Sequence, residues 1–544
     1  MKAQCLPFSQ IPHTTRLFTD FLSYSPQVQP FYPHSPNFRE WMKGEAAAIG
    51  YDAARRERVA TILERQNKSW DASPQTMANL ERLRKGAAAV VTGQQVGLFG
   101  GPTFSIYKAL TAVKLAEEAT AAGIECVPVF WLATYDHDLA EINHVGIPGA
   151  DGLLQTLATT SHGQEDVQVG SIKLDSGIAA VVAQAAELLG ESEATKFLQD
   201  SYRDGETMGS AFARLCAKLF AEWGVILLDG ADPDLHRVAQ PIYRAAIERD
   251  EELADQLMAR GSALEKAGYH QQVKVGPSSV LAFIQHNGAR TSIHRRVEGN
   301  TTTYGIGSNA AAEKISRAEL LSRVESAPEL FTPNVLLRPV VEDYLLPTLA
   351  YTGGAAEAAY FAQAGVVYQA LLGRVTPIVP RFSATLVPPK LRSFLDSGNI
   401  HVTDVFTGPD ALRQKIATQN LPQDLKTAFD DANRALDGGL SAIREKLTLL
   451  DRTLVDAAET AGSKMKYQLE RLYTQAARAE SQKGEVVARK ADKLSNLLYP
   501  DKGLQERGIG GIYFAAKYGM ELLHQLHDAI HTNCHDHQIL DLDI

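Results

Sequence analysis

Two clusters of polar residues stand where apolar runs of this chain end. The first lies in VVTGQQVGLFGGPTFSIYKAL, residues 90–110, where Gly93, Gly97, Gly100 and Gly101 surround the amide pair Gln94 and Gln95. A strand, a glycine-rich turn and a helix start in that order offer backbone N–H groups and a positive dipole end to a ligand. Glycine lets that ligand approach closely. The run is neither a P-loop nor a dinucleotide fingerprint, and paired amides suit hydroxyls and carbonyls better than phosphate. Tyr107 and Lys108 fall on the first helical turns, with Lys108 in reach of an anion. The second cluster is YDHDLAEINH, residues 135–144, which gathers Asp136, His137, Asp138, Glu141 and His144. Three chemistries fit it: substrate or acid/base duty, helix capping by Asp138 with solvated charge around it, and a divalent metal site. Glu141 and His144 would share a helix face at i, i+3, but the spacing is not H-E-x-x-H.

Further along, LRPVVEDY puts Arg338 beside Glu342 and Asp343, and an arginine in an apolar run needs a carboxylate, from the protein or from a substrate. YTGGAAEAAY repeats the strand, di-glycine turn and helix, with Glu357 and Tyr360 facing one way. PRFSAT offers Arg381, Ser383 and Thr385, a set that suits phosphate. The tail holds His524, His527, His531, Cys534, His535 and His537; an exposed tail is the simple reading, metal binding the other.

The elements that position these groups read as α/β. Apolar strands are expected at 87–92, 127–133 and 225–230, with a helix over 104–122 between the first two, a βαβ unit that implies a parallel, doubly wound sheet. One helical stretch is expected over 193–223, helices over 234–267, and a β-rich patch at 271–292 with HNG as its hairpin turn. From 424 to about 498 the chain is proline-free helix former; Met465, Leu469, Leu472, Ala476 and Ala479 recur at coiled-coil spacing, and Gly438–Gly439 and LLDRT near Asp451 are the expected breaks. The division is a Rossmann-like core over 1–420 with inserts at roughly 150–222 and 268–330, an antiparallel helical arm over 421–500, and a loop plus one last helix over 501–544 that packs back on the core.

The chain has 544 residues, 45% of them hydrophobic and 22% charged, with a net charge of −10. That composition is globular. The acidic balance argues against nucleic acid as a partner; the absence of an 18-residue apolar run argues against a membrane, and a cytoplasmic location is the expectation. The four cysteines form no C-x-x-C pair and read as reduced, mostly buried thiols.

Five blocks, TGQQVGLFGGPTFSIYK, VFWLATYDHDLAEINHV, VLLRPVVEDYLLPTLAYTGGAAEAAYF, VPRFSAT and LYPDKGLQER, occur in that order over nearly the whole chain. Together they resemble the BshC family, the cysteine ligases of bacillithiol biosynthesis. The resemblance implies a Rossmann-like core akin to class I aminoacyl-tRNA synthetases, two connecting-peptide inserts, and a coiled-coil arm through which a homodimer forms. The implied reaction is the last step of the pathway, joining L-cysteine to the amine of glucosaminyl-malate. It places Asp136, His137, Asp138 and Glu141 in catalysis. Gly93, Gln94, Gln95, Gly101, Tyr107, Lys108, His144, Arg338 and Glu357 would bind substrate, and Arg381, Ser383, Thr385, Gln505 and Arg507 a nucleotide. A free carboxylate does not acylate an amine near neutral pH, so ATP, leaving as ADP or AMP, is expected as activator, with Mg²⁺ as a possible aid and no resident metal. In that scheme Gln94 and Gln95 orient hydroxyls, Lys108 or Arg338 holds a carboxylate, His137 or an adjacent Asp takes the amine proton, and N–H groups of the glycine turn stabilise the oxyanion. The family usually has Gln-Glu at Glu342–Asp343 and a Gly-Pro-Gly-Glu-like run at 354–357, so substrate contacts there are open. A synthetase relative charging RNA or a carrier would show HIGH and KMSKS motifs, and none is found; a nucleotide-sensing coiled-coil scaffold is the third reading.

Overall fold

The computed structural model describes residues 1–159, 167–299, 301–307, 313–419, 421–483 and 485–543. In it the continuous apolar runs become five buried parallel strands: β1 (Ala88–Gln94), β2 (Cys126–Leu132), β3 (Ile226–Asp229), β4 (Thr348–Gly353) and β5 (Ile378–Pro380). Their spatial order is β5-β4-β1-β2-β3, every neighbour parallel. All seven residues of β2 are buried, as both faces of a helix-covered sheet require. Helix α1 (Phe104–Ala121) links β1 to β2. Helix α2 (Arg338–Leu345) precedes β4, and α3 (Ala355–Leu372) joins β4 to β5. Winding runs outward from β1 to β3 and resumes on the other side at β4. The strand order therefore reverses between β1 and β4, and helices leaving their carboxyl ends diverge to open a crevice.

Between β2 and β3 the chain forms an antiparallel ribbon, His144–Pro148 with Leu154–Ala158, and then helices. The single helix expected over 193–223 is two, Glu193–Ser201 and Met208–Leu219. Gly205 takes φ +86 between them, and a Thr207–Ser210 capping box starts the second helix. Between β3 and β4 lie the helices Pro233–Glu248, Asp250–Lys266 and Arg317–Ser326, then α2, and a five-stranded antiparallel sheet, whose hairpin Ser279–His286 to Ala289–Glu298 turns at Asn287 and Gly288 with φ 51 and 84. HNG signals that turn. Residues 160–166, 300 and 308–312 of the expected inserts lie outside the described residues.

The arm is α4 (Gln423–Leu450), α5 (Leu454–Lys483) and α6 (Glu485–Leu498). Gly438–Gly439 does not break it: α4 runs straight through, because interior glycines cost helix stability without forcing a turn. The break falls at Asp451, whose extended backbone (φ −159) and carboxylate, accepting from the Thr453 N–H at 2.8 Å, start the reversal. Helices α4 and α5 pack as an antiparallel hairpin through Phe429 on Tyr473 (4.9 Å between ring centroids) and the ion pairs Arg444–Glu459 at 2.7 Å and Lys466–Asp437 at 2.6 Å. The packed face passes through Gly462 and Tyr473. Of the expected seam, Leu469 and Ala476 are partly buried, whereas Met465 and Leu472 stay 50% and 54% exposed.

The chain does not end in one last helix. Two short helices, Gly511–Tyr518 and Glu521–Ala529, lead into strand His537–Asp541, which pairs antiparallel with Lys2–Leu6 and parallel with Ala384–Val387. His537 is fully buried there rather than part of an exposed tail. No helix among the described residues is long and apolar enough to cross a membrane.

Candidate active site

A cleft of about 750 Å³ opens at the carboxyl ends of β1, β2 and β4 and is walled on its far side by the antiparallel insert. Gly93, Gln94, Gln95 and Lys108 line it from the first motif, Asp136 and Glu141 from the second, and Arg338, Glu357, Arg381 and Arg507 from later blocks. The five signature runs thus converge at the strand-order reversal. Gly93 leaves room there: a Cβ on it would stand 3.3 Å from Tyr351 Oη, a contact that the hydroxyl would have to relieve, and 3.5 Å from an Arg338 nitrogen.

Lys108 closes the gap between the two halves of the sheet. Its ammonium, 4% exposed, donates to Gly93 O at 2.7 Å, Gln94 Oε1 at 2.9 Å and Glu357 Oε1 at 2.9 Å. Burial pulls its pKa down to about 8 against the pull of Glu357. Burial alone would raise Glu357, but Lys108, the Tyr351 hydroxyl at 2.6 Å and the Gly354 N–H at 2.7 Å hold its carboxylate below the usual range. Three cations surround one ring: Lys108, Arg381 and Arg507 lie 5.6, 5.2 and 5.8 Å from the centroid of Phe104. The first turn of α3, whose leading N–H groups have no intrahelical acceptor, borders the same end. That corner suits an anion.

Arg338 finds its carboxylate within the protein. It donates to Glu342 Oε2 at 2.8 Å and to the hydroxyls of Tyr360 and, at 3.4 Å, Tyr351. Glu342 is wholly buried, its Oε1 has no partner among the described residues, and burial pushes its pKa up to about 7 despite Arg338.

On the opposite wall, Gln95 Nε2 donates to Asp136 Oδ2 at 2.7 Å and Glu141 Oε2 at 2.9 Å. His137 sits at the rim, its Nδ1 3.0 Å from Arg290, which also donates to Thr332 Oγ1 and the Pro333 carbonyl and stacks 3.8 Å from the Phe283 centroid. A guanidinium only donates, so Nδ1 holds the lone pair and the ring's proton is on Nε2. Arg290, in the insert hairpin, has no signal in the sequence. Neither does Glu506, the partner of Arg381; a buried arginine implied only that some carboxylate must exist.

Other expected site residues lie elsewhere. Tyr107 is fully buried against Phe382, its ring centroid 5.2 Å away, and does not line the cleft. Asp138 caps the short helix Leu139–Ile142, accepting from the Glu141 N–H at 3.1 Å. His144 lies past that helix, exposed on the ribbon strand, so it shares no helix face with Glu141. Gly101, at φ +71, shapes the turn rather than the cleft. The turn's own N–H groups are spent internally: Gly97 on Gln95 O, Gly101 on Leu98 O and Gly100 on the Tyr202 hydroxyl. They do not form an oxyanion hole. Of the five expected nucleotide residues only Arg381 and Arg507 face the cleft. Ser383 bonds Glu506 and His537, Thr385 bonds His537, and Gln505 pairs with the backbone of Leu386. Glu506 also accepts from Arg381 at 2.6 Å, so these residues hold that arginine from behind. A phosphate therefore fits the Arg381–Arg507 corner and not the hydroxyl pair. Among the described residues no cluster of three His, Cys, Asp or Glu is placed to hold a metal ion. His524 and His527 instead pair with Glu222 and Glu117.

A Rossmann-like sheet with a polar cleft at its strand reversal and a helical arm defines an α/β enzyme of small molecules. The model for "Bacillithiol biosynthesis BshC, N-terminal Rossmann-like domain" matches residues 1–382, and that for its C-terminal coiled-coil domain matches 384–542. The chain belongs to the BshC family of bacillithiol biosynthesis. It is 46% identical over 540 residues to a protein of Koribacter versatilis, covering 99% of this chain and 100% of that one. It is 35% identical to one of Solibacter usitatus (99% and 100% covered) and 33% to one of Salinibacter ruber (96% of each). All three bear the name "Putative cysteine ligase BshC".

Proposed function

We propose that this chain carries out the last step of bacillithiol synthesis, forming the amide between the carboxyl group of L-cysteine and the amine of glucosaminyl-malate. The observation that carries the reading is the juxtaposition, in one cleft, of an anion-binding corner and a carboxylate wall. The corner of Phe104, Lys108, Arg381 and Arg507 holds the cysteine carboxylate and the phosphates of ATP, which would supply the activation. The Asp136–Glu141 wall holds the amine. With Gln94 Oε1 taken by Lys108, the amide NH₂ of Gln94 donates to a substrate carbonyl or hydroxyl; with Gln95 Nε2 taken by the two carboxylates, its oxygen accepts. Asp136 removes the ammonium proton, since Arg290 occupies the free nitrogen of His137. His137 donates from Nε2 and Arg338, tied to Glu342, positions Tyr351 and Tyr360. The negative oxygen of the tetrahedral adduct meets the first turn of α3 rather than the glycine turn, with the Lys108 charge close by but its three N–H groups already donated within the protein. Two copies associate through the arm, whose exposed Met465, Leu472 and Ile443 would be covered.

The test is mass spectrometry of the products from cysteine and glucosaminyl-malate with and without ATP and Mg²⁺. Bacillithiol only with ATP supports the reading, and AMP against ADP separates adenylate from acyl phosphate. Bacillithiol without ATP removes the activation step; no product in either case removes the ligase.

A further inference from the structure

Two of the four cysteines are not buried and are not apart. Cys5 is exposed, Cys534 half-exposed, and their sulfurs lie 3.6 Å from one another across 529 residues of sequence. Cys5 belongs to the N-terminal strand Lys2–Leu6, paired in register with Gln538 of the C-terminal strand. Cys534 sits in the turn that enters that strand, its N–H bonded to His531 O at 3.0 Å. Strand pairing brings the N-terminal strand beside the segment that enters the C-terminal one, where the turn at His531–Cys534 sets the second thiol next to the first, and a disulfide needs the sulfurs to close to about 2 Å. Cys126 and Cys216, by contrast, are 1% and 2% exposed in the core.

We propose that Cys5 and Cys534 form a reversible redox site, oxidised by low-molecular-weight disulfides to a bond that ties the two termini together. One thiol loses its proton and attacks a sulfur of RSSR, forming a mixed disulfide and releasing RS⁻. The second thiol, deprotonated in turn, attacks the protein sulfur of that mixed disulfide and releases the second RS⁻. The protein gives up two electrons and two protons, and RSSR becomes 2 RSH. The closed ring spans nearly the whole chain, so it removes much of the unfolded ensemble's freedom. It also secures the strand bearing His537, which lies behind Ser383, Glu506 and Arg381 in the cleft wall.

The test treats reduced full-length protein, without denaturant, with glutathione disulfide. The expected product is lighter by two hydrogens, carries no glutathione, and yields a tryptic cross-link of residues 3–16 to 518–544 that dithiothreitol cleaves. The midpoint of thermal unfolding rises by about 4 °C on oxidation. Cys5→Ser instead keeps one glutathione on Cys534 and shows no rise. Two stable glutathione adducts without a cross-link, no reaction, or a link through Cys126 or Cys216 would each overturn the proposal.

Discussion

Lys108 and Glu357 meet 2.9 Å apart across the line where the strand order reverses, one from the helix after β1, the other from the helix after β4. The pair joins the halves of the sheet at the base of the cleft, with both members inside the protein. Removing one member leaves the other charge buried, which costs about 3–5 kcal/mol. Lys108→Ala is therefore expected to lower the free energy of unfolding by that amount in urea titration, and Glu357→Gln added to it should recover part of the loss.

Glu342 makes stability depend on pH. Its folded pKa of about 7 exceeds the ordinary value of 4.5, so between those limits the folded state binds the extra proton. Its contribution is present in full below about pH 4.5 and is lost as pH rises through about 7. Urea titrations at pH 5 and pH 8 should show the wild type losing about 3 kcal/mol relative to Glu342→Gln over that range. Equal differences at both pH values would mean that Glu342 is ionised throughout.

The two candidate bases are separable. Asp136→Ala is expected to reduce kcat by about 10²- to 10⁴-fold, while His137→Ala, which removes a donor, should cost about 10-fold in kcat/KM. Arg290→Ala should release the Nδ1 lone pair, and the imidazole ¹⁵N shifts would then report a mixture of tautomers where the wild type has one.

Glu506 supports Arg381 from behind. Burial would raise its pKa, but Arg381 and His537 outweigh burial and hold its carboxylate below the usual range. Glu506→Ala should cost about 3–5 kcal/mol in stability and weaken ATP binding through the loosened arginine. Glu506→Gln keeps one acceptor oxygen for Arg381 but sets an amide NH₂ against the Ala384 N–H, which donates to the carboxylate in the wild type; it should recover only part of the stability while changing the nucleotide KM more than the cysteine KM.

On the arm, lysine at both Met465 and Leu472 places charge on an exposed apolar face. Sedimentation should give a dimer for the wild type and a monomer for the double variant, with unchanged helical content because both side chains are at least half exposed and lysine is a good helix former.

The local chemistry was legible in the sequence wherever periodicity or a turn signature spoke for itself. Unbroken apolar runs of strand length read as strands covered on both faces, HNG read as a tight hairpin turn, and the polar clusters of residues 93–95 and 136–141 stood at strand ends where an α/β sheet opens. Tertiary structure decided what each polar group had left to offer. Glu506 and His537 saturate Ser383 and Thr385, Arg290 takes a nitrogen of His137, and Tyr107 turns into the core; no neighbour in sequence announces these partners. Hydrogen-bonding capacity is consumed by whichever group packs nearest, and that is set by contacts across hundreds of residues. The same holds for Cys5 and Cys534: their types are in the sequence, but only the pairing of the terminal strands together with the turn before the second one makes them neighbours.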